Sequence, residues 1–196
     1  MKRILFACAL SVPVLLAGCT PGTPQTPPPS TPVQTVEPPP QQFMCTPEEG
    51  GSASPCSEAE YQAQLARDKQ YDEAKRVLAA YNKEFQRLAG QGASASEDLL
   101  SYTGGEFEAQ TRDEMGEGFR LEGGESKKVW IKRLVGESLG GSTLALETCV
   151  DGTSITIWKG KEKIGEGRIS ERRYFFADTD TGLKIVAAQN REVESC

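Results

Sequence analysis

The chain has 196 residues, enough for one domain with appendages, with 37% hydrophobic and 26% charged residues and a formal net charge of −6. It contains no histidine, which excludes imidazole general bases, Ser-His-Asp and Cys-His nucleophile systems, and every His-ligated metal site. The acidic balance argues against a nucleic-acid partner. Composition is uneven along the chain. All 12 prolines lie at or before Pro55, so an extended front precedes a part able to pack a core.

A basic start, Met1-Lys2-Arg3, leads into an apolar run from Ile4 to Leu16 broken only by Ser11 and Pro13. As a helix that run would span roughly 20 Å, short of the ~30 Å hydrocarbon core of a bilayer. The order basic, apolar, small therefore predicts a secretory signal peptide over 1–18 rather than a transmembrane helix. It closes on Leu16-Ala17-Gly18-Cys19, which resembles the lipobox of bacterial lipoproteins. That resemblance implies acylation of the Cys19 thiol, cleavage just before it, and a mature chain held by its lipid on the outer face of the cell membrane. One acyl chain holds only marginally, whereas two or more anchor stably. Removing Lys2 and Arg3 with the leader takes two positive charges from −6 and leaves −8.

From Thr20 to Gln42 the chain carries nine prolines and no basic residue. Such a segment favours polyproline II and buries no core. At ~3.1 Å per residue it reaches about 70 Å at most, which predicts a lipidated, disordered Pro/Thr-rich stalk over 19–56. Thr and Ser among its prolines would also admit O-glycosylation. Phe43 to Cys56 reads as a short transition around the acidic, glycine-rich TPEEGGSASP. With Cys8 in the leader and Cys19 acylated, Cys45, Cys56, Cys149 and Cys196 remain. Four cysteines in an exported chain suggest two disulfides, with three possible connectivities. Cys45–Cys56 with Cys149–Cys196 is the most natural of the three, each bridge contributing roughly 3–4 kcal/mol by chain entropy. No two of the four have the spacing of a zinc site.

The part able to fold starts at Ser57-Glu58-Ala59-Glu60, the form of a capping box, and shows neither Gly nor Pro until Gly90. Ala74, Val77, Leu78, Tyr81, Phe85 and Leu88 keep three-to-four spacing, which predicts one long amphipathic helix. Residues 94–115 read as one or two short helices, with Ser96 opening one and Gly104-Gly105 interrupting. The period then changes. Lys127–Val135, Thr143–Val150, Ser154–Trp158, Arg168–Ala177 and Leu183–Glu192 are predicted strands, and their short, turn-rich links favour antiparallel neighbours. Helices followed by strands argue an α+β domain over 57–196, with the helices packed on a sheet of about five strands. Charge divides at the same seam: 57–126 carries 15 acidic and 8 basic side chains, and 127–196 carries 10 and 12. An acidic helical layer over a near-neutral sheet accounts for it.

Ala80–Phe85 (AYNKEF), Glu147–Trp158 (ETCVDGTSITIW), Arg172–Phe176 (RRYFF) and the terminal Cys196 resemble a group of actinobacterial lipoproteins whose domain has the nuclear transport factor two-like fold. The resemblance covers about residues 57–196. It implies a cone with a pocket inside, formed by a long helix, short helices and a bent antiparallel sheet. It also implies a bridge between Cys149 and Cys196, and it makes a sheet-face homodimer possible. It implies no activity, because the fold hosts isomerases, dehydratases, transport adaptors and domains without known chemistry.

No family catalytic residue falls on a matching position. Asp151, at the end of a strand, is the most suggestive carboxylate, although Asp151-Gly152 also reads as an ordinary turn pair. Gly116-Glu117-Gly118 and Gly165-Glu166-Gly167 lack the third glycine of a dinucleotide loop. Gly160 and Gly165 lack the phosphate-loop lysine, and Asp178–Gly182 lacks the calcium-loop glutamate, so a hairpin turn explains it better. Lys127, Lys128, Lys132, Arg133, Lys159, Lys161, Lys163, Arg172 and Arg173 suggest either a stripe for an anionic polymer or a solvated strand face. The leading expectation is a surface-tethered module without cofactor or metal, which binds a small apolar ligand in the cone or an envelope protein on the open sheet face. The alternative is a histidine-free enzyme using Asp151 or another buried carboxylate with Tyr81 or Tyr174.

Overall fold

The computed structural model describes residues 41–196 apart from Glu49 and Glu117. The expected signal peptide, the acyl acceptor Cys19 and the stalk as far as Pro40 lie outside the described residues. Gln41–Cys196 forms one compact unit.

A tight hairpin opens it. Strands β1 (Phe43–Cys45) and β2 (Ser54–Cys56) pair antiparallel and are closed by the Cys45–Cys56 disulfide. Phe43 stacks on Tyr61 with ring centroids 5.4 Å apart, the Thr46 amide donates to Gln64 Oε1 at 3.0 Å, and Glu48 pairs with Arg67. Residues 43–56, which proline content alone assigns to the stalk, are thus folded against the first helix. A proline in a two-stranded ribbon is harmless, because Pro55 can stand where no ladder hydrogen bond is required.

Helix α1 (Glu58–Gln91) forms as its sequence demands. Ser57 Oγ accepts the Glu60 amide, and a Glu60 carboxylate oxygen accepts the Ser57 amide at 2.8 Å, completing the capping box. The helix stops at Gly92, whose φ of 65° is the left-handed cap that glycine adopts at least cost. At 1.5 Å per residue its 34 residues run about 51 Å. Its buried stripe begins only at Tyr71 and continues through Ala74, Leu78, Tyr81, Leu88 and Ala89. No described helix is long and apolar enough to cross a membrane.

Two short helices follow, α2 (Glu97–Leu100), capped by Ser96, and α3 (Gly105–Glu114). Beyond them come β3 (Phe119–Glu122), β4 (Lys127–Leu134), β5 (Leu144–Asp151), β6 (Thr156–Lys159), β7 (Glu162–Glu166), β8 (Ile169–Thr179) and β9 (Gly182–Glu192). The class is α+β. The expectation of one sheet of about five strands is corrected: the nine described strands stand in three sheets, a pair, a three-stranded sheet ordered β3-β6-β7 and a four-stranded sheet ordered β4-β5-β8-β9. The pairings are all antiparallel. Strand β3 is four residues long and finds its partner only at β6, so no local hairpin signal announces it. Strand β7 reads as a charged loop because it is an edge strand, where lysine and glutamate keep the unpaired side in water.

The core lies between α1 and one face of the four-stranded sheet. Leu78 and Tyr81 meet Leu144, Leu146, Tyr174, Phe176 and Ile185, with Leu99, Phe107 and Met115 closing one end. Each large side chain so buried contributes about 1.5–3 kcal/mol. The short helices are tied to β9: the Gly104 amide donates to the Ile185 carbonyl at 2.9 Å, and the Ile185 amide to the Tyr102 carbonyl at 3.0 Å.

Candidate functional site: a cleft between helix and sheets

Period two along β8 sends Arg172, Tyr174 and Phe176 to the face that meets α1, and Glu171, Arg173 and Phe175 to the other. On the α1 side, the apolar floor opens into a cleft of about 290 Å³ between α1, α3, the three-stranded sheet and the ends of β8 and β9. Four aromatic rings form much of its wall. Tyr81 stands 5.9 Å from Phe85 and 5.6 Å from Phe107, and Phe85 stands 6.1 Å from Phe119, centroid to centroid. Tyr174, Leu121, Ile155, Ile157 and Ala188 extend the apolar surface, while Asn82, Gln86, Gln110, Gln189 and Asn190 supply amide groups. A second hollow of about 660 Å³ adjoins it and shares Asn82, Gln86, Leu121, Ser126, Ile155, Arg172 and Tyr174.

Backbone packing sets one wall. A Cβ on Gly167 would stand 2.1 Å from the Gly152 carbonyl oxygen, so the two chain segments meet as closely as they do only because residue 167 is glycine. The Gly152 amide donates to Arg168 O at 3.1 Å and the Gly167 amide to Ile155 O at 2.8 Å, locking this corner.

The tyrosines named from the sequence are both here. Tyr81 is 5% exposed, its hydroxyl lies 3.5 Å from Thr111 Oγ1, and burial pushes its pKa far above the usual phenol value. Tyr174 lies beside it on the floor. Asp151 is elsewhere. It ends β5, and its Oδ1 accepts from the Thr153 amide at 2.9 Å and from Thr153 Oγ1 at 2.7 Å. Those two hydrogen bonds hold its carboxyl below the usual range, which suits a turn and not a proton acceptor near neutrality. Neither cavity includes Asp151 in its walls.

Among the described residues, the most buried carboxylate lies on the opposite face of the sheet. Glu147 is 5% exposed; one carboxylate oxygen accepts Lys132 Nζ at 2.8 Å and the other Arg173 Nε at 2.9 Å. Burial alone would raise its pKa, but the two cations outweigh burial and hold it below the normal glutamate value. Arg173 also reaches Glu137 at 2.9 Å. Next to this network Cys149 bridges to Cys196, and Trp130 Nε1 donates to the Cys196 carbonyl at 3.3 Å. The outward face is therefore covered in part by the chain's own C-terminal end.

Neither a family model nor a curated protein matches this chain. Among solved structures, the intermembrane space region of the chloroplast protein ARC6 aligns with 62% of this chain and 96% of its own, at 15% identity and a TM-score of 0.38. That likeness is too distant to bear on fold or function.

The basic residues collected from the sequence do not form one stripe. Lys132 and Arg173 belong to the outward network, Lys159 and Lys163 to the three-stranded sheet, and Arg133 pairs with Asp68 and covers the Tyr71 ring at 4.5 Å. Arg172 alone of these arginines faces the cleft. No local sequence pattern marks Phe107 or Phe119. Phe107 stands on a short helix of weak periodicity, and Phe119 on a strand without a neighbouring hairpin partner. Among the described residues, no group of three or more His, Cys, Asp or Glu side chains is placed to hold a metal ion.

Proposed function

We propose that this protein is an exported lipoprotein, tethered through Cys19 and a proline-rich stalk, whose domain binds a small, largely apolar molecule. The observation that carries this reading is the aromatic-walled cleft of about 290 Å³. It sits at the lower end of the ~300–1,000 Å³ range of small-molecule sites, and it combines an apolar lining with a few convergent polar groups. A long helix over an antiparallel sheet with a cleft beside it also supports a nuclear transport factor two-like cone. The two disulfides fit an oxidising, extracytoplasmic setting. Capture of an envelope protein on the sheet face has less support, because the C-terminal end and the loop carrying Glu137 already reach over that face. A proton-transfer enzyme draws no support from Asp151, which is engaged in its turn.

The test is organic extraction of protein purified from the cells that make it, with mass spectrometry of what is released. One chemical class should accompany the native protein and be lost from Ala188→Phe, whose added ring fills the cleft opposite Tyr174. Recovery of the same molecule from both proteins, or of none from the native one, would defeat the proposal.

A further inference from the structure

Arg172 and Arg173 are neighbours with opposite surroundings. Arg173 is held by two carboxylates, Glu147 and Glu137. Arg172 is half-buried on the cleft wall, where its Nε lies 3.4 Å from Ser170 Oγ, and no described carboxylate pairs with its guanidinium. Glu114 and Glu125 stand on the walls of the two hollows, both exposed and neither joined to Arg172. Arg168, nearer the rim, is already paired with Glu192.

A guanidinium beside an aromatic cavity limits what can enter. When the cleft is open to water, Arg172 is solvated. A neutral apolar molecule filling the cavity would strip that water and leave a cation without a partner, which weakens its binding. A molecule ending in an anion would replace the water with a charge-assisted, two-pronged hydrogen bond, for which the planar guanidinium is well shaped. The same side chain therefore rejects one class of apolar ligand and accepts another. Asn190, the register partner of Arg172 on β9, lines the same cleft, and its amide can donate to a second anionic oxygen.

Resting on the reading of the cleft as a ligand site, we propose that the ligand is an apolar monoanion whose carboxylate binds Arg172 while its apolar body lies against Phe85, Phe107 and Tyr174. One acidic group is indicated because, of the two described cations that line this cleft, Arg168 is paired with Glu192 and Arg172 is not paired, while Lys83 and Lys128 line only the adjoining hollow. The volume suits one chain or a small ring system.

The experiment is calorimetric titration of the full chain carrying Cys19→Ser, which keeps the protein free of acyl chains whether or not Cys19 accepts them. Decanoate and decanol are the probes, matched in chain length and differing in charge. Decanoate should bind about tenfold more tightly than decanol or better. Arg172→Gln should abolish that margin from both sides, weakening decanoate and leaving decanol as tight as before or tighter, and Arg172→Lys should keep part of it. Arg168→Gln should leave the margin intact, since that arginine is already paired. Equal binding of the two probes to the native side chain, or equal weakening of both by Arg172→Gln, would overturn the anion inference and leave the cleft as a ligand site. Saturable binding of neither probe would overturn the inference together with the reading on which it rests.

Discussion

The two faces of the four-stranded sheet show how the same residue types come to serve different ends. On the outward face, Glu147, Lys132, Arg173 and Glu137 satisfy one another within hydrogen-bond distance, and a disulfide pins the chain terminus nearby. On the face toward α1, Leu146, Tyr174 and Phe176 pack in the core, Arg133 pairs with Asp68, and Arg172 on the cleft wall has no carboxylate partner among the described residues. Closed charge networks of the first kind hold a structure together. An unmet charge beside an apolar cavity is costly to bury alone, and so it is informative about what belongs there.

That contrast can be broken at three points. Phe176 has no exposed surface, and Phe176→Ala should cost about 3–5 kcal/mol by transfer and cavity terms together. Denaturant unfolding would show it as a large fall in midpoint at constant slope; a loss below about 1 kcal/mol would mean that the α1-facing core is not close-packed. Glu147→Gln should cost less, about 1–3 kcal/mol, because it removes the shared acceptor of two cations that keep partial access to water.

Its sign with pH follows from the lowered pKa. The carboxylate contributes stability that is fully present above its unfolded value near 4.5 and is lost as pH falls through the depressed folded value. The gap between native protein and Glu147→Gln should accordingly be constant near neutrality and shrink below about pH 4.5. A gap that widens in acid would reverse the assignment. The smallest effect belongs to Arg172→Gln, which should change stability by no more than about 0.5 kcal/mol, since it breaks no ion pair. A loss comparable to that of Glu147→Gln would show that Arg172 is structural, and thermal melts of the two variants side by side would decide.

Much of the scaffold was legible because its signals are local. The capping box at Ser57 and Glu60, the three-to-four stripe through Tyr81 and Leu88, the interruption at Gly104-Gly105 and the Asp178–Gly182 hairpin each depend on residues within one or two turns of one another. What went unread is non-local. The Phe43–Cys56 hairpin is folded because Phe43 meets Tyr61 and Cys45 meets Cys56, and its prolines concealed both contacts. Strand β3 exists only through β6, and β7 reads as loop because an edge strand carries charge. Of the candidate site, the sequence singles out Tyr81 and Tyr174, offers Arg172 only within a basic stripe, and suggests Asp151 as a carboxylate that its hydrogen bonds to Thr153 do not favour.

The sequence by itself determined the α+β class, the long capped helix, the antiparallel pairing and four cysteines free to form two bridges, because periodicity, caps and composition act over a few residues. Only the tertiary structure decided how the strands divide among sheets, which disulfides close, and which of two adjacent arginines is satisfied. Alternation along β8 puts Arg172 and Arg173 on opposite faces, but what waits on each face comes from β4, β5, α1 and α3. No local pattern encodes that meeting. It is set by long-range packing, which brought two carboxylates to Arg173 and an aromatic cleft to Arg172.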